Sequence, residues 1–392
     1  MISELEARAL DRAPVVLDSV ESSYARRPAI WRGISAEEWS SYAWQWANRL
    51  MSVEALANAV GLNADERRAV EAMASRFGTA ISPHFAALFR PELGSHCPIR
   101  RQAIPIGAEL DIHDDLLDDP LGESRHAIAP CAVRRYPDRA LIYATHECAM
   151  RCRHCTRRSR VGLMESVSQA DLQNALDRVT ANPNIRDVLI SGGDPLSLEN
   201  DVLEWLIASL KACPHIDVVR VCTRMVSTLP QRMSDARLID VLRKYAPIYV
   251  NTQFNHPFEA TREAAQALAA LRSAGCILGN QSVLLKGIND APAILEPLFR
   301  WLLREGCRPY YLFLCDVAQG THHFRTSIQS GLDIMRSLRG RLSGLAIPHF
   351  VIDLPDGNGK VDLCPDSVVS RDGQSLTFHN WFGASVNYRD VE

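Results

Sequence analysis

Three cysteines crowd into eight residues of the stretch "ECAMRCRHCTRR": Cys148, Cys152 and Cys155. A structural zinc site wants four such ligands, and this group is one short. Three anionic thiolates would also quench the Lewis acidity that a catalytic zinc needs. A [4Fe–4S] cluster on the same three thiols leaves one iron without a protein ligand, open to an outside chelator. The missing fourth cysteine is then part of the chemistry. The other single cysteines tested against this reading, Cys213, Cys222, Cys276, Cys307 and Cys315, sit in apolar stretches and read as buried reduced thiols.

The elements that must position this group follow from periodicity. From residue 140 short apolar runs alternate with amphipathic stretches: "ALIYATHE", "IRDVLIS", "IDVVRVCT", "PIYVNTQ", "CILGNQSVLL" and "RPYYLFLCD" read as strands. Each is followed by a helical pattern, such as "SQADLQNALDRVTAN" with Ser168 as N-cap, or "TREAAQALAALRSAG" ending at Gly275. Six β/α units of about thirty residues predict right-handed crossovers and parallel strands. In such folds functional side chains gather at the carboxyl ends of strands. After the first strand come the cysteines, after the second "SGGDPL", after the third Arg224, after the fourth Asn255 and His256, and after the sixth Asp316. The fifth carries Asn280 and Gln281 near its start.

Outside this core, residues 1–95 read as a helical N-terminal region. In "SAEEWSSYAWQWANRL", Ser35 is the expected N-cap, and Trp39, Tyr42, Trp46 and Leu50 recur at helical spacing as a core face. Residues 96–139 read as a connector. Its acidic run 111–119 lacks the ordered spacing of a calcium loop and reads as solvated. Residues 140–345 form the expected core, and 346–392 an extension with strand-like "HFVIDL" and "SLTFHN". A net charge of −3 argues against a nucleic-acid surface. No apolar run reaches membrane-spanning length, and the start "MISELEARALDRAPVVL" lacks the layout of a secretory signal, so a cytoplasmic protein with no membrane or nucleic-acid partner is expected.

The cysteine loop resembles the signature of the radical S-adenosylmethionine (SAM) superfamily. The resemblance extends to the lysine 2,3-aminomutase family through "RYPDRALIYATHECAMRCRHCTRRSRVG", "LISGGDPL", "NTQFNHP", "CDVAQGTHHFRT" and "DLPDGNGK", with "ISPHFAALFRPELGSHCPIRRQAIP" and "WQWANRL" upstream, over about residues 35 to 385. It implies an α/β fold, a partial (β/α)6 barrel of the radical SAM type. It also implies SAM, a [4Fe–4S] cluster and pyridoxal 5′-phosphate (PLP), with an external electron donor such as flavodoxin or ferredoxin. Ser191, Gly192, Gly193 and Asp194 match the glycine-rich motif beside SAM, the glycines allowing close backbone approach and Asp194 facing a cation. Arg224, Gln253, Asn255 and Gln281 join them on the SAM side. Gln253 stands where histidine is expected and cannot titrate. Lys360 matches the PLP lysine, and Arg135 and Arg139 the phosphate-side arginines.

On the substrate side, Arg157 matches the ligand of the amino-acid carboxylate, and Asp316 and Asp353 the pair that holds a distal ammonium. Two acids facing one cation favour a basic amino acid and repel glutamate. L-lysine is the default substrate and arginine the close second. Elimination or deamination on the same cofactors, or action on a peptide or protein lysine, are the alternatives. Asp356 and Asn358 interrupt the glycine run expected before Lys360; both tolerate left-handed backbone. His322 stands where a small or apolar residue is expected near Asp316. The family's C-terminal zinc cysteines have no counterpart after Cys364. No structural zinc is therefore expected, and a homo-oligomer without the zinc-linked tetramer.

Overall fold

The computed structural model describes residue 17, residues 20–162 and residues 166–391. The opening segment read for a signal lies almost wholly outside these. Ten strands form one sheet in chain order: β1 Ala127–Ala129, β2 Ala132–Tyr136, β3 Arg139–Thr145, β4 Asp187–Gly192, β5 Val218–Cys222, β6 Tyr249–Thr252, β7 Ile277–Leu284, β8 Cys307–Leu314, β9 His349–Asp353 and β10 Lys360–Asp362. Neighbours from β3 to β9 run parallel; β1, β2 and β10 are antiparallel additions at the two edges. The sheet is open. One cavity nevertheless collects side chains from β2 to β10, so the sheet curls around it.

The six predicted crossover helices are present at Gln169–Thr180, Asn200–Lys211, Ala236–Lys244, Arg262–Ser273, Pro292–Arg304 and Ile328–Leu338. Their apolar stripes explain them. Leu203, Leu206, Ile207 and Leu210 of the second are buried against the sheet, each worth about 1.5–3 kcal/mol of transfer free energy. Ser168 caps the first by accepting from the Asp171 amide at 3.1 Å. Gly275 takes φ +79° after the fourth, as a helix stop requires.

Two expectations change. "HFVIDL", placed in a C-terminal extension, is the seventh parallel strand: Tyr311, Leu312 and Phe313 pair with His349, Phe350 and Val351. The sixth helix is a full crossover, which needs a strand to return to. β1 and β2 likewise fall in the expected connector and extend the sheet. A separate three-stranded sheet follows: β11 Val368–Asp372, β12 Ser375–His379 and β13 Ser385–Arg389.

The N-terminal helix expected from Ser35 to Leu50 is broken. Ser35 and Glu38 form a capping box on Ala36–Ser40. Ser41 then leaves the helix and caps a second one, Tyr42–Ala47, through the Trp44 amide. Serine competes with helix continuation in this way. Leu50 instead pairs its backbone with Ile81. Trp31, Trp39, Leu56, Phe85 and Ile99 make a second core that includes Met150 from the cysteine loop, so the helical region docks on that loop. Among the described residues no helix is long and apolar enough to cross a membrane.

Candidate active site

The cysteine loop leaves the end of β3 and is clamped from two sides. Arg49 donates to the Cys148 carbonyl at 2.8 Å. The Arg151 amide reaches the Ala80 carbonyl at 2.9 Å, and the Arg153 amide the Gln102 carbonyl at 2.9 Å. The loop's arginines explain themselves as struts. Arg153 and Arg158 both bind Glu109, at 2.7 and 2.6 Å, with Arg153 and Glu109 fully buried. Burial pushes Glu109 up, and the two guanidiniums pull it below the usual carboxylate range.

Cys148, Cys152 and Cys155 are free, half-buried and line one cavity of about 380 Å³. Burial raises the Cys148 thiol well above its ordinary value, followed by Asp194 and the two other cysteines; Cys155 is pushed to about 11 by burial and then by Cys152. Such mutual repulsion requires neighbouring sulfurs, and a cationic cluster reverses it. The donor set therefore fits an iron–sulfur cluster with three protein ligands. Arg224 donates from Nη1 to Cys152 Sγ at 2.8 Å and from Nη2 to Gln102 and Glu259 at 2.6 and 3.3 Å.

The glycine motif lines the same cavity, and its glycines also serve the cysteine loop. A Cβ on Gly192 would sit 2.3 Å from the Thr145 carbonyl oxygen, and one on Gly193 2.3 Å from that of Glu147. The close approach is to the cysteine loop's own backbone, sealed by Gly193 and Asp194 amides donating to those carbonyls at 2.6 and 2.7 Å. Asp194 faces donors of the chain. It accepts from the Thr223 hydroxyl at 2.7 Å and from the Arg224 and Met225 amides at 2.7 and 3.1 Å. It thereby ties the ends of β4 and β5 beneath the thiols. Ser191 and Gln281 line the cavity, as does Gln253, whose amide meets His154 Nε2 at 3.0 Å. Four polar atoms of the cavity wall are buried without a partner among the described residues: Arg224 Nε, His154 Nδ1, Asn251 Nδ2 and Thr252 Oγ1. Unmet donors and acceptors beside the thiols suit a polar ligand such as SAM.

At the other end of the cavity, Asp353 at the close of β9 bonds Arg135 through one oxygen and Lys360 through the other, each at 2.7 Å. Lys360 starts β10 directly opposite Asp353. Its amide donates to the Tyr136 hydroxyl at 2.9 Å, and its Nζ lies 4.2 Å from the Phe313 ring centre. Burial, then the Asp353 charge, pushes the Asp316 carboxyl up to about 7, against Lys360, Arg135 and Arg157. Arg139 lines the cavity but pairs with exposed Asp138 at 3.0 Å. A third guanidinium, Arg220, lines it beside Asp187. A primary amine on an aromatic wall with guanidiniums nearby fits PLP. Of the glycine-loop substitutes, Asp356 takes the left-handed backbone at φ +61°, whereas Asn358 stays right-handed at φ −69°.

Arg157 lies between the two ends. Glu123 grips it at 2.7 and 3.1 Å, leaving Nη1 towards Ser191 at 3.4 Å. Every residue expected to bind the cluster, a cofactor or substrate lines the cavity except Asn255; of the other strand-end candidates, His256 and Asn280 do not line it. Asn255 is fully buried behind the wall, donating to Gln102 at 2.9 Å and accepting from the Val283 amide at 2.9 Å, so it braces β6 against β7. His256 caps the Phe258 amide at 3.1 Å. His322 is exposed and stacks on His113 rather than shaping the pocket. Glu123, Arg220 and the cavity-lining Cys222 were not singled out as site residues. Glu123 sits in the acidic connector, and only its pairing with an arginine of "CTRR" distinguishes it.

Residues 142–296 match the Radical SAM superfamily, and residues 335–392 match the family described as Lysine-2,3-aminomutase. The chain is 43% identical to a glutamate 2,3-aminomutase of Clostridioides difficile over 90% of its length and 83% of that protein. It is 39% identical to an L-lysine 2,3-aminomutase of Methanococcus maripaludis over 90% and 82%, and 38% identical to that of Clostridium subterminale over 93% and 88%.

Proposed function

Because the chain belongs to the radical SAM 2,3-aminomutase family and is an enzyme of that kind, we propose that it moves the α-amino group of a basic amino acid, L-lysine by default and arginine next, to the β-carbon. The cluster and SAM that the family's domain implies supply a carbon radical, and PLP supplies the aldehyde that carries the migrating nitrogen.

Cys148, Cys152 and Cys155 hold the cluster, and Arg224 balances the Cys152 thiolate. Ser191, Gln253, Gln281 and the unpartnered wall atoms take SAM. Lys360 holds PLP covalently, with Arg135, Arg139 and Arg220 available to its phosphate. Arg157, held by Glu123, orients the substrate carboxylate. With Nε and Nη2 held by Glu123, Arg157 offers Nη1 to that carboxylate, which helps to set which face of the β-carbon meets the radical.

The observation that carries the substrate class is the seat of the Lys360 ammonium on Asp353 at 2.7 Å beside Asp316. Once Lys360 is engaged covalently it offers no ammonium there. Asp353 then keeps only Arg135, and Asp316, which makes no ion pair among the described residues, lies beside it, so a side-chain ammonium or guanidinium can take the place left. A glutamate carboxylate at the same place would meet two like charges. Relatives named for lysine and for glutamate match at similar identity, so the proposed substrate class rests on the acid pair. The eleven free cysteines suit a reducing cytoplasm, and a cluster of this kind would take its electron from a donor such as flavodoxin or ferredoxin.

The test is an anaerobic assay of the reconstituted enzyme with SAM, PLP and reductant on lysine, arginine and glutamate. A β-amino acid from a basic substrate, and a borohydride-stable PLP label on Lys360 that Lys360→Ala abolishes, are expected. Preferential turnover of glutamate would overturn the substrate class. Keto acid and ammonia in place of a β-amino acid would overturn the mutase outcome.

A further inference from the structure

Away from the cavity, two histidines and a carboxylate from distant parts of the chain come together on the surface. His113 and Asp115 belong to the acidic run of the connector; His322 follows β8. Their candidate ligand atoms lie within 4.8 Å of one another. The two imidazoles stack with ring centres 3.9 Å apart and planes 16° apart. The segments that carry them are fixed to each other by main-chain bonds. The Leu117 amide donates to the Val317 carbonyl at 2.8 Å and the Gln319 amide to the Leu117 carbonyl at 3.0 Å. The Gln319 side chain reaches the His113 and Leu116 carbonyls at 3.0 and 2.8 Å. The juxtaposition of His113 with His322 is thus set by backbone pairing.

We propose that His113, Asp115 and His322 form a binding site for a borderline transition-metal dication such as Zn²⁺ or Co²⁺, separate from the cysteine cluster. Two imidazoles and one carboxylate are the donor set such ions prefer, whereas calcium and magnesium want an all-oxygen shell. Ligand atoms around a tetrahedral ion with bonds of about 2.0–2.1 Å lie about 3.3 Å apart. Side-chain rotation of exposed His322 and Asp115 covers the difference. Arg325 binds Asp115 Oδ2 at 2.8 Å. This leaves Oδ1 for the metal and holds the carboxylate in place, the role outer partners play at metal sites. The remaining coordination positions face solvent.

The site's place in the fold gives it a consequence. His322 lies six residues beyond Asp316, and Thr321 between them bonds the Asp316 carbonyl at 3.1 Å. A metal bridging His113 and His322 staples the connector to the loop that carries Asp316. It therefore tightens the end of the cavity where the substrate's distal cation is expected to sit.

The probe is Co²⁺, titrated anaerobically into the cluster-reconstituted chain carrying Cys364→Ser, so that neither the three cavity thiols nor the exposed one competes. One equivalent should bind with the visible bands of nitrogen and oxygen ligation and without a thiolate charge-transfer band; Zn²⁺ should displace it. His322→Ala and His113→Ala should each weaken binding at least tenfold, and the Co²⁺-induced rise in Tm should vanish with them while the metal-free Tm stays within a few degrees. Binding that survives both substitutions, or no equivalent beyond the cluster iron, overturns the site. The result is independent of which amino acid the enzyme turns over.

Discussion

The two ends of the cavity are built on opposite principles. Around the thiols, charges are matched by partners that take no part in the chemistry. Arg153 and Arg158 close on Glu109, Arg224 on Glu259, and Asp194 on the backbone of the neighbouring strand. At the Lys360 end the charges expected to do chemistry are matched by each other: Lys360 and Arg135 share Asp353, and Asp316 faces all three. The first arrangement is preorganised and changes little on loading. The second must exchange partners each time cofactor or substrate arrives. A cluster needs a rigid seat, whereas a site that swaps one cation for another needs ion pairs that can open.

Substitution at the rigid end has the largest effect. Cys152→Ala removes one of the three proposed cluster ligands and leaves Arg224 facing no sulfur. Iron content after anaerobic reconstitution should fall, and 5′-deoxyadenosine formation should drop below detection, with PLP labelling of Lys360 retained. Full SAM cleavage in this variant contradicts the cluster assignment.

At the exchanging end, Asp316→Asn should lower kcat/KM for a basic substrate about 100-fold, the scale for leaving a desolvated cation short of its counter-charge. SAM binding should stay within twofold. The pH dependence has a definite sign. With its carboxyl raised to about 7, Asp316 is neutral below that pH, so kcat/KM should climb through pH 7 and level off above it. In Asp316→Asn that limb should be absent. Between the ordinary carboxylate value of 3.8 and about 7 the folded chain holds the extra proton, so this group's contribution to stability falls as pH rises across the window.

The contrast also divides what the sequence makes legible. The six crossovers, their caps and the three thiols could be read because each depends on local pattern: apolar periodicity, a capping serine, a spacing of cysteines. Lys360 and Asp353 were reached only by resemblance, and Asp316 owed to it its substrate role though not its place at a strand end, since a lysine in a turn carries no local mark of covalent work. What could not be read is made of long-range pairs. Glu123 grips Arg157 from 34 residues away, and Glu109 joins Arg153 from 44 residues away. Neither partner changes local propensity. β9 was set apart from the core for a related reason: its five residues resemble any short strand, and only its register with β8 places it. Asn255 was assigned to the cofactor from its place at a strand end, but the chain turns its amide into the wall.

Glu123 lies between the two ends and tests whether Arg157 belongs to the rigid or the exchanging class. If Glu123 is a positioning residue, Glu123→Gln should raise KM about tenfold, or about 1.4 kcal/mol, with kcat changed less than threefold. Loss of kcat alone would mean that Arg157 and Glu123 act on the reacting centre.

The smallest effect concerns the turn that delivers Lys360. Asp356 holds φ +61°, a conformation that costs an L-residue about 1–2 kcal/mol and aspartate less. Its ion pair with Arg125 joins two side chains that are 49% and 65% exposed, so it returns little. Asp356→Gly should therefore stabilise the fold by up to about 1 kcal/mol, diminished by the greater freedom of glycine in the unfolded chain. The turn also abuts Gly122, where a Cβ would come within 2.6 Å of the Asp356 carbonyl, so the backbone path is fixed from outside. Lys360 should keep its position, and PLP affinity should be unchanged. A tenfold change in PLP affinity with unchanged Tm would show that Asp356 acts on the lysine end through its charge.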